Sequence, residues 1–267
     1  MKKKMKNGFH KYSISRRTKT TTECPFDNKD KTQYSEGMKK TISSPEHLRF
    51  AVLATDIAIF TVRNKELLVR LIPVHRPPFF TNIKGLPGGL IDPKETAEEA
   101  VMRHTKDKAI VDPNKIYFEQ LYTFSSPKRD PRGRVVAVAY IGLVPWEKLS
   151  TTEQMSMEKA LWAPVAHMKA LAYDHNEILD AAVKRLRSRI TYTTIASKIL
   201  PDEFTLTEME EMYKSVLLSD LDKRNFRKKM LKLKILTDLK RKKIGGAHRP
   251  AELYRFSSAK IREIEVL

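Results

Sequence analysis

The stretch GLPGGLIDPKETAEEAVMRHTKDKAIV, Gly85 to Val111, joins a glycine-rich turn to a helix. Gly85, Gly88 and Gly89 carry no Cβ, so the backbone there can approach an anion closely. The spacing predicts a helix over 97–109, ended by Asp112-Pro113, because the residue before a proline is pushed out of the helical region. Glu95 stands six positions after Gly89, and Arg103 eight positions after Glu95. A glycine turn alone is weak evidence of a site, but the turn, glutamate and arginine at fixed spacing are specific.

Upstream of the turn, FAVLATDIAIFTVR and ELLVRLIPV read as strands around the short polar turn Asn64-Lys65, a hairpin pattern. HRPPFF is expected to be a loop leading to the glycines. Downstream, IYFEQLYTF and VVAVAYIGLVP are further strands separated by the polar loop SSPKRDPRGR, and LWAPV is a short one. HNEILDAAVKRLRSRI carries Ile178, Leu179, Ala182, Val183 and Leu186 at helical spacing and is expected to connect two domains.

A second pattern begins near Tyr192. Thr205 and Glu208 form a capping box before Leu206, Met209, Met212, Tyr213 and Val216. Asp222 can cap KRNFRKKMLKL, where Phe226, Met230 and Leu233 share one side. ILTDL and AELYRF then bracket KRKKIGGAHRP, a hairpin with a basic tip. Helices followed by a basic β-hairpin follow the order of a winged helix-turn-helix.

Charge supports the same reading. The 267 residues hold 51 Lys and Arg against 32 Asp and Glu, a net charge of +19 that argues for a polyanionic partner. Between Lys223 and Arg255, thirteen Lys and Arg face only Asp238 and Glu252, an excess of +11. Lys223, Arg224, Asn225, Arg227 and Lys228 on the helix, with Lys242, Lys243, His248 and Arg249 on the wing, are the candidate DNA contacts. Asn225 suits adenine and Arg224 guanine, although phosphate contact is open to both.

The single cysteine, Cys24, excludes an internal disulfide framework and a cysteine zinc site and suits a reducing cytosol. The apolar stretch from Phe50 is too short for a membrane span, so a soluble, cytoplasmic protein without membrane partners is expected. Residues 1–46 are polar, basic and aperiodic and are expected to be disordered.

The turn, Glu95 and Arg103 resemble the box of the Nudix family. That resemblance implies an α/β/α sandwich around a mixed sheet, an α+β architecture once the winged helix is added. The family's later carboxylates hold divalent ions; here their positions carry His104, Asp107 and Lys108. Hard cations need several anionic oxygens, so neither metal nor other cofactor is expected, and catalytic residues are not assigned. Lys108 is read as either a solvated lysine or a direct diphosphate partner. A residual hydrolase using Glu95, Glu99 and Asp107 is the alternative, and an RNA-binding or scaffold protein a third reading.

EQLYTFSSPKRDPRGRVVAVAY, LAYDHNEIL and LDKRNFRKKML with GGAHRPAELYRF are together similar to the Nudix-related transcriptional regulators of NAD metabolism. This resemblance implies a homodimeric repressor that binds a double-stranded DNA operator and senses ADP-ribose or a related NAD-derived nucleotide. The expected layout is a tail over 1–46, a sensor over 47–174, a linker helix over 175–191 and a winged helix over 192–267. Ligand contacts are assigned to Gly85, Gly88, Gly89, Arg103, Arg129 and Arg132. On residues alone, Arg129 and Arg132 read instead as salt-bridge partners of Asp130; the resemblance assigns them to ligand. His75 and His104 lack neighbours at metal-ligand spacing. His175 opens a helix beside the potential caps Asp174 and Asn176, and Trp146 and Trp162 are expected to pack in the core or at the domain junction.

Overall fold

The structure, a computed structural model, describes residues 50–155, 159–243 and 250–264. The expectations for residues 1–46, and for His248 and Arg249, lie outside the described residues.

Strands β1 (Val52–Arg63) and β2 (Glu66–Arg76) form the expected hairpin. Asn64 and Lys65 both take positive φ, 49° and 64°, which matches the turn to the right-handed twist of the strands. The chain then makes β3 (Phe80–Gly85), paired with β2 at the sheet edge. Sequence reading passes over this strand because FTNIKG is mostly polar and partly exposed. β4 (Gly88–Leu90) pairs with Ala54–Asp56 of β1. Helix α1 (Ala97–Asp107) follows, with Thr96 and Glu99 in a reciprocal capping box.

β5 (Tyr117–Phe124), β6 (Val135–Leu143), the single turn α2 (Thr151–Gln154), β7 (Leu161–Pro164) and α3 (His175–Tyr192) complete the sandwich. The sheet runs β3-β2-β1-β6-β5, with β7 beside β2. The β1–β6 pair is parallel and the others are antiparallel, so the sheet is mixed.

Period-2 alternation sorts β1 between two cores. Ile57 and Ile59 join Val101 of α1, Tyr140, Trp146 and Trp162 on one face. Ala58 and Phe60 join Ile178, Leu179, Ala182 and Leu186 of α3 on the other. The two tryptophans meet edge to face, with centroids 6.0 Å apart.

β8 (Phe204–Thr205), α4 (Leu206–Leu217), α5 (Lys223–Lys232), β9 (Leu236–Lys243) and β10 (Ala251–Phe256) build the winged helix. The predicted caps at Thr205 and Asp222 both form. Lys240 to Lys243 lie on β9 itself rather than at a hairpin tip.

The two domains do not keep separate cores. Met209, Tyr213, Phe226 and Met230 belong to the same apolar cluster as Ile178, Leu186 and the β1 face. Helix α3 therefore packs on the sheet as well as leading into the winged helix. Arg187 of α3 donates to the carbonyl of Val216 at 2.9 Å, and Lys65 pairs with Glu211 at 3.0 Å, so polar ties add to that seam.

Candidate functional site

The glycine turn, the start of β1, the loop before β6 and the beginning of α3 enclose a cavity of about 450 Å³. Gly88, Gly89, Arg129 and Arg132 line it, together with Asp56, Arg76, Asp107, Lys108, Tyr173 and His175. Gly85 and Arg103 are not among its lining residues. Gly85 is hemmed in by His175, whose Nδ1 would stand 2.8 Å from an added Cβ. Its missing side chain makes room for the His175 ring. Arg103 is tied to Glu95, which also accepts the N–H of Asp92 at 2.8 Å. Arg103, then the Asp92 N–H, pulls the Glu95 pKa down to about 2.

At the cavity floor, the guanidinium of Arg129 donates to both oxygens of Asp174, at 2.8 and 2.7 Å, and to Asp56 at 2.9 Å. All three side chains are buried, Arg129 to within 3% of full coverage. Arg129 is thus a salt-bridge residue, with Asp56 and Asp174 in place of the expected Asp130. It is spent on the fold, because a buried cation must be paired.

The Nδ1 of His175 accepts the N–H of Leu86 at 2.9 Å, which leaves the ring proton on Nε2, facing Asp56 at 3.5 Å. This replaces the helix-capping reading of His175: Asp174 makes no side-chain cap, and Asn176 accepts instead from the N–H of Leu171. Burial alone would raise the Asp56 pKa, but His175 and Arg129 outweigh it and hold the carboxyl below its ordinary range. Gly88 is required here, since a Cβ would fall 2.1 Å from Asp56 Oδ1.

Arg132 behaves differently. It pairs with Asp130 at 2.6 Å, as read from the residues alone, yet keeps 43% of its side chain exposed. Its guanidinium lies 5.5 Å from the Tyr173 ring centroid. This leaves one side of a cation–aromatic pair open to the cavity.

Lys108 is no solvated helix lysine. It is half-buried, and its ammonium donates to the Gly88 carbonyl at 2.5 Å. Burial first, then Arg76 and Arg103, lowers its pKa, with Asp56 opposing. His104 packs beside it, buried, with Nε2 3.2 Å from the Leu90 carbonyl. Burial and the neighbouring Lys108 and Arg103 push the His104 pKa down, which favours the neutral ring.

The divalent metal implied by a Nudix fold does not fit these residues. Glu95 is taken by Arg103, Glu99 closes the helix cap, and an ammonium occupies the turn. Among the described residues, no three His, Cys, Asp or Glu side chains gather at a common point. Lys108, Arg76 and Arg132 instead form a cationic wall suited to a phosphorylated anion without a bridging metal.

On the winged helix, Lys223, Arg224, Asn225 and Lys228 are exposed on α5, while Phe226 and Met230 anchor its other side. Phe226 meets Tyr213 edge to face at 5.1 Å. Arg227 differs from its neighbours: half-buried, it donates to Thr207 Oγ1 at 2.7 Å and ties α5 to α4. Lys242 and Lys243 are exposed but pair with Glu252 and Glu208. Such surface pairs are weak enough to be exchanged for phosphate.

Residues 52–185 match the model of the NUDIX domain, and residues 196–256 match that of the NrtR DNA-binding winged helix domain. The ADPR responsive transcriptional repressor NtrR of Acinetobacter baylyi is 33% identical over 210 residues, 77% of this chain and 82% of the relative. The chain belongs to the NrtR family. Both the sandwich and the winged helix expected from sequence are those of this family. The crystal structure of Shewanella oneidensis NrtR complexed with a 27mer DNA superposes with a TM-score of 0.67 at 31% identity, covering 77% of this chain and 93% of that one. An ADP-ribose pyrophosphatase of Methanocaldococcus jannaschii is 31% identical over 46% of this chain and 70% of its own length. The match to the Acinetobacter repressor covers 77% of this chain against 46% for the pyrophosphatase. Among the described residues, no helix is long and apolar enough to cross a membrane.

Proposed function

We propose that this protein is a ligand-responsive DNA-binding transcriptional regulator, acting as a cytoplasmic homodimer. The sensor cavity takes ADP-ribose or a related NAD-derived nucleotide, and α5 enters the major groove of a palindromic operator. The observation that carries this reading is Lys108: an ammonium held on the glycine turn supplies the positive charge that binding needs, without the metal that hydrolysis needs. Arg132, Arg76 and Tyr173 offer further partners for a diphosphate and its sugar. Exposed Lys223, Arg224, Asn225 and Lys228 supply the DNA-facing surface. A two-fold dimer would place a second α5 about one DNA turn away.

The ligand signal has a physical route. The cavity floor includes the first residue of α3, and α3 shares its apolar face with the winged helix. A ligand that favours one setting of α3 therefore biases the spacing of the two α5 helices.

The similarity to the pyrophosphatase favours a second reading, hydrolysis of an ADP-ribose-like substrate. Glu95, Glu99 and Asp107, its candidate carboxylates, do not converge in this fold: two are engaged in local bonds and Asp107 sits exposed on the cavity rim.

The test is competition. After an operator is selected from random DNA, saturating ADP-ribose is added to the full chain on that operator. A change in operator affinity is expected. Unchanged affinity with both ADP-ribose and NAD overturns the sensor half of the proposal.

A further inference from the structure

A second cavity, of about 460 Å³, opens where the sandwich meets the winged helix. The sandwich contributes Tyr117, Pro145 and Lys148; the other wall carries Lys198, Arg255 and Phe256. Its volume lies within the range of small-molecule sites. It is separate from the glycine-turn cavity, with which it shares no lining residue.

Two of its cations are uncompensated. Lys198 is half-buried, and among the described residues its ammonium reaches only the Ala259 carbonyl, at 2.9 Å, and the Tyr117 ring, 5.6 Å from its centroid. Neither Lys198 nor Arg255 has a carboxylate partner among the described residues. Lys148 is paired with Asp202, whose side chain is largely exposed to water. Lys115, at the same cavity, is already neutralised by Glu153. Burial and Lys148 lower the Lys198 pKa, the direction expected of a cation that lacks a counter-charge. A half-buried ammonium held by a carbonyl and a ring costs desolvation that a bound anion would offset.

We propose that this seam cavity is a second ligand site, binding a phosphorylated small molecule whose phosphate sits between Lys198 and Arg255. The apolar wall of Pro145, Ile116 and Phe256, with the Tyr117 ring, selects a ligand that carries an aromatic or apolar body beside its phosphate. Because its two walls belong to different domains, the ligand fastens the sensor to the winged helix. The site stands independently of the glycine-turn cavity.

AMP and inorganic phosphate serve as probes in titration calorimetry of the full chain. The background is Lys108→Ala with Arg132→Ala, which weakens the first cavity. AMP binding is expected to persist there, with phosphate competing more weakly, and to fall at least about tenfold on adding Arg255→Gln. Arg255 makes no side-chain bond within the described residues, so this variant leaves the seam intact; Lys198→Gln is the companion. AMP binding that is absent from the background chain, or unaltered by both seam variants, overturns the proposal. So does loss of random-duplex binding by the seam variants with AMP binding unchanged, which would make the cavity a DNA-backbone contact. Loss of the ADP-ribose response bears only on the first cavity, so the two readings fail separately.

Discussion

Replacing Arg129 by alanine tests whether the cavity floor is structure or ligand contact. Three bonds of 2.7 to 2.9 Å join its guanidinium to Asp56 and Asp174, and all three side chains are more than nine-tenths buried. The substitution removes the cation and leaves two carboxylates without their shared partner. Breaking a buried pair from one side costs about 3–5 kcal/mol, a large part of a typical total of about 5–15 kcal/mol. With a urea slope of about 2 kcal/mol/M, the unfolding midpoint should fall by roughly 2 M at neutral pH. Arg129→Lys keeps a charge but loses the fork that reaches both acids, so an intermediate loss is expected. Arg132→Ala leaves the buried Asp130 carboxylate without its guanidinium but removes a half-exposed cation, so it should cost less than Arg129→Ala while weakening ADP-ribose binding. A midpoint shift for Arg129→Ala below about 0.5 M at unchanged slope would refute the argument, because a buried, triply bonded cation cannot be removed so cheaply.

Three further outcomes follow from the same geometry. Lys108→Ala should weaken metal-free ADP-ribose binding by about 1.5–3 kcal/mol in calorimetry, and magnesium should not restore it; metal-dependent turnover of the wild type at about 1 per second or above would contradict the metal-free site. Glu153 has its pKa drawn down to about 2: burial opposes this, but Lys115 and the N–H groups of Asp112 and Ser150 prevail. Its folded pKa lies below the unfolded value near 4.5, so its contribution of about 3 kcal/mol is whole above pH 5 and fades as pH falls toward 2. Denaturation midpoints of the wild type and Glu153→Gln should therefore converge in acid; a gap that stays constant from pH 7 to pH 3 rejects this. In a salt series, Lys228→Ala should weaken operator and random duplexes alike, whereas Asn225→Ala should lose about 1–3 kcal/mol on the operator alone; equal losses for Asn225→Ala on both would remove it from base reading.

The mixed sandwich came from the resemblance to the Nudix family, whereas the sequence by itself determined most of the strands and helices and the order of the winged helix. Those features rest on local signals: alternation along β1, the caps at Thr205 and Asp222, and the Phe226–Met230 stripe are readable from neighbours in the chain. The glycine-turn spacing singled out Gly88 and Gly89, whereas Arg132, which lines the same cavity, was assigned to ligand only by the resemblance. Sequence reading missed β3, whose polar, half-exposed residues lack a strand period. Partners were the harder part. Asp56, Arg129, Asp174 and His175 are separated by up to 119 positions, and nothing in their local sequence says that burial will force them to neutralise one another. That His175 fills the space beside Gly85, and that Thr207 takes the guanidinium of Arg227, is equally invisible in the local sequence. Lys108 stood open between solvent and ligand because a helix lysine can reach either. Only the packing of α1 against the glycine turn half-buried it and set its ammonium on the Gly88 carbonyl. Charge and periodicity are properties of a chain, but desolvation and pairing arise from the tertiary structure, and those decided which cations remain free to bind.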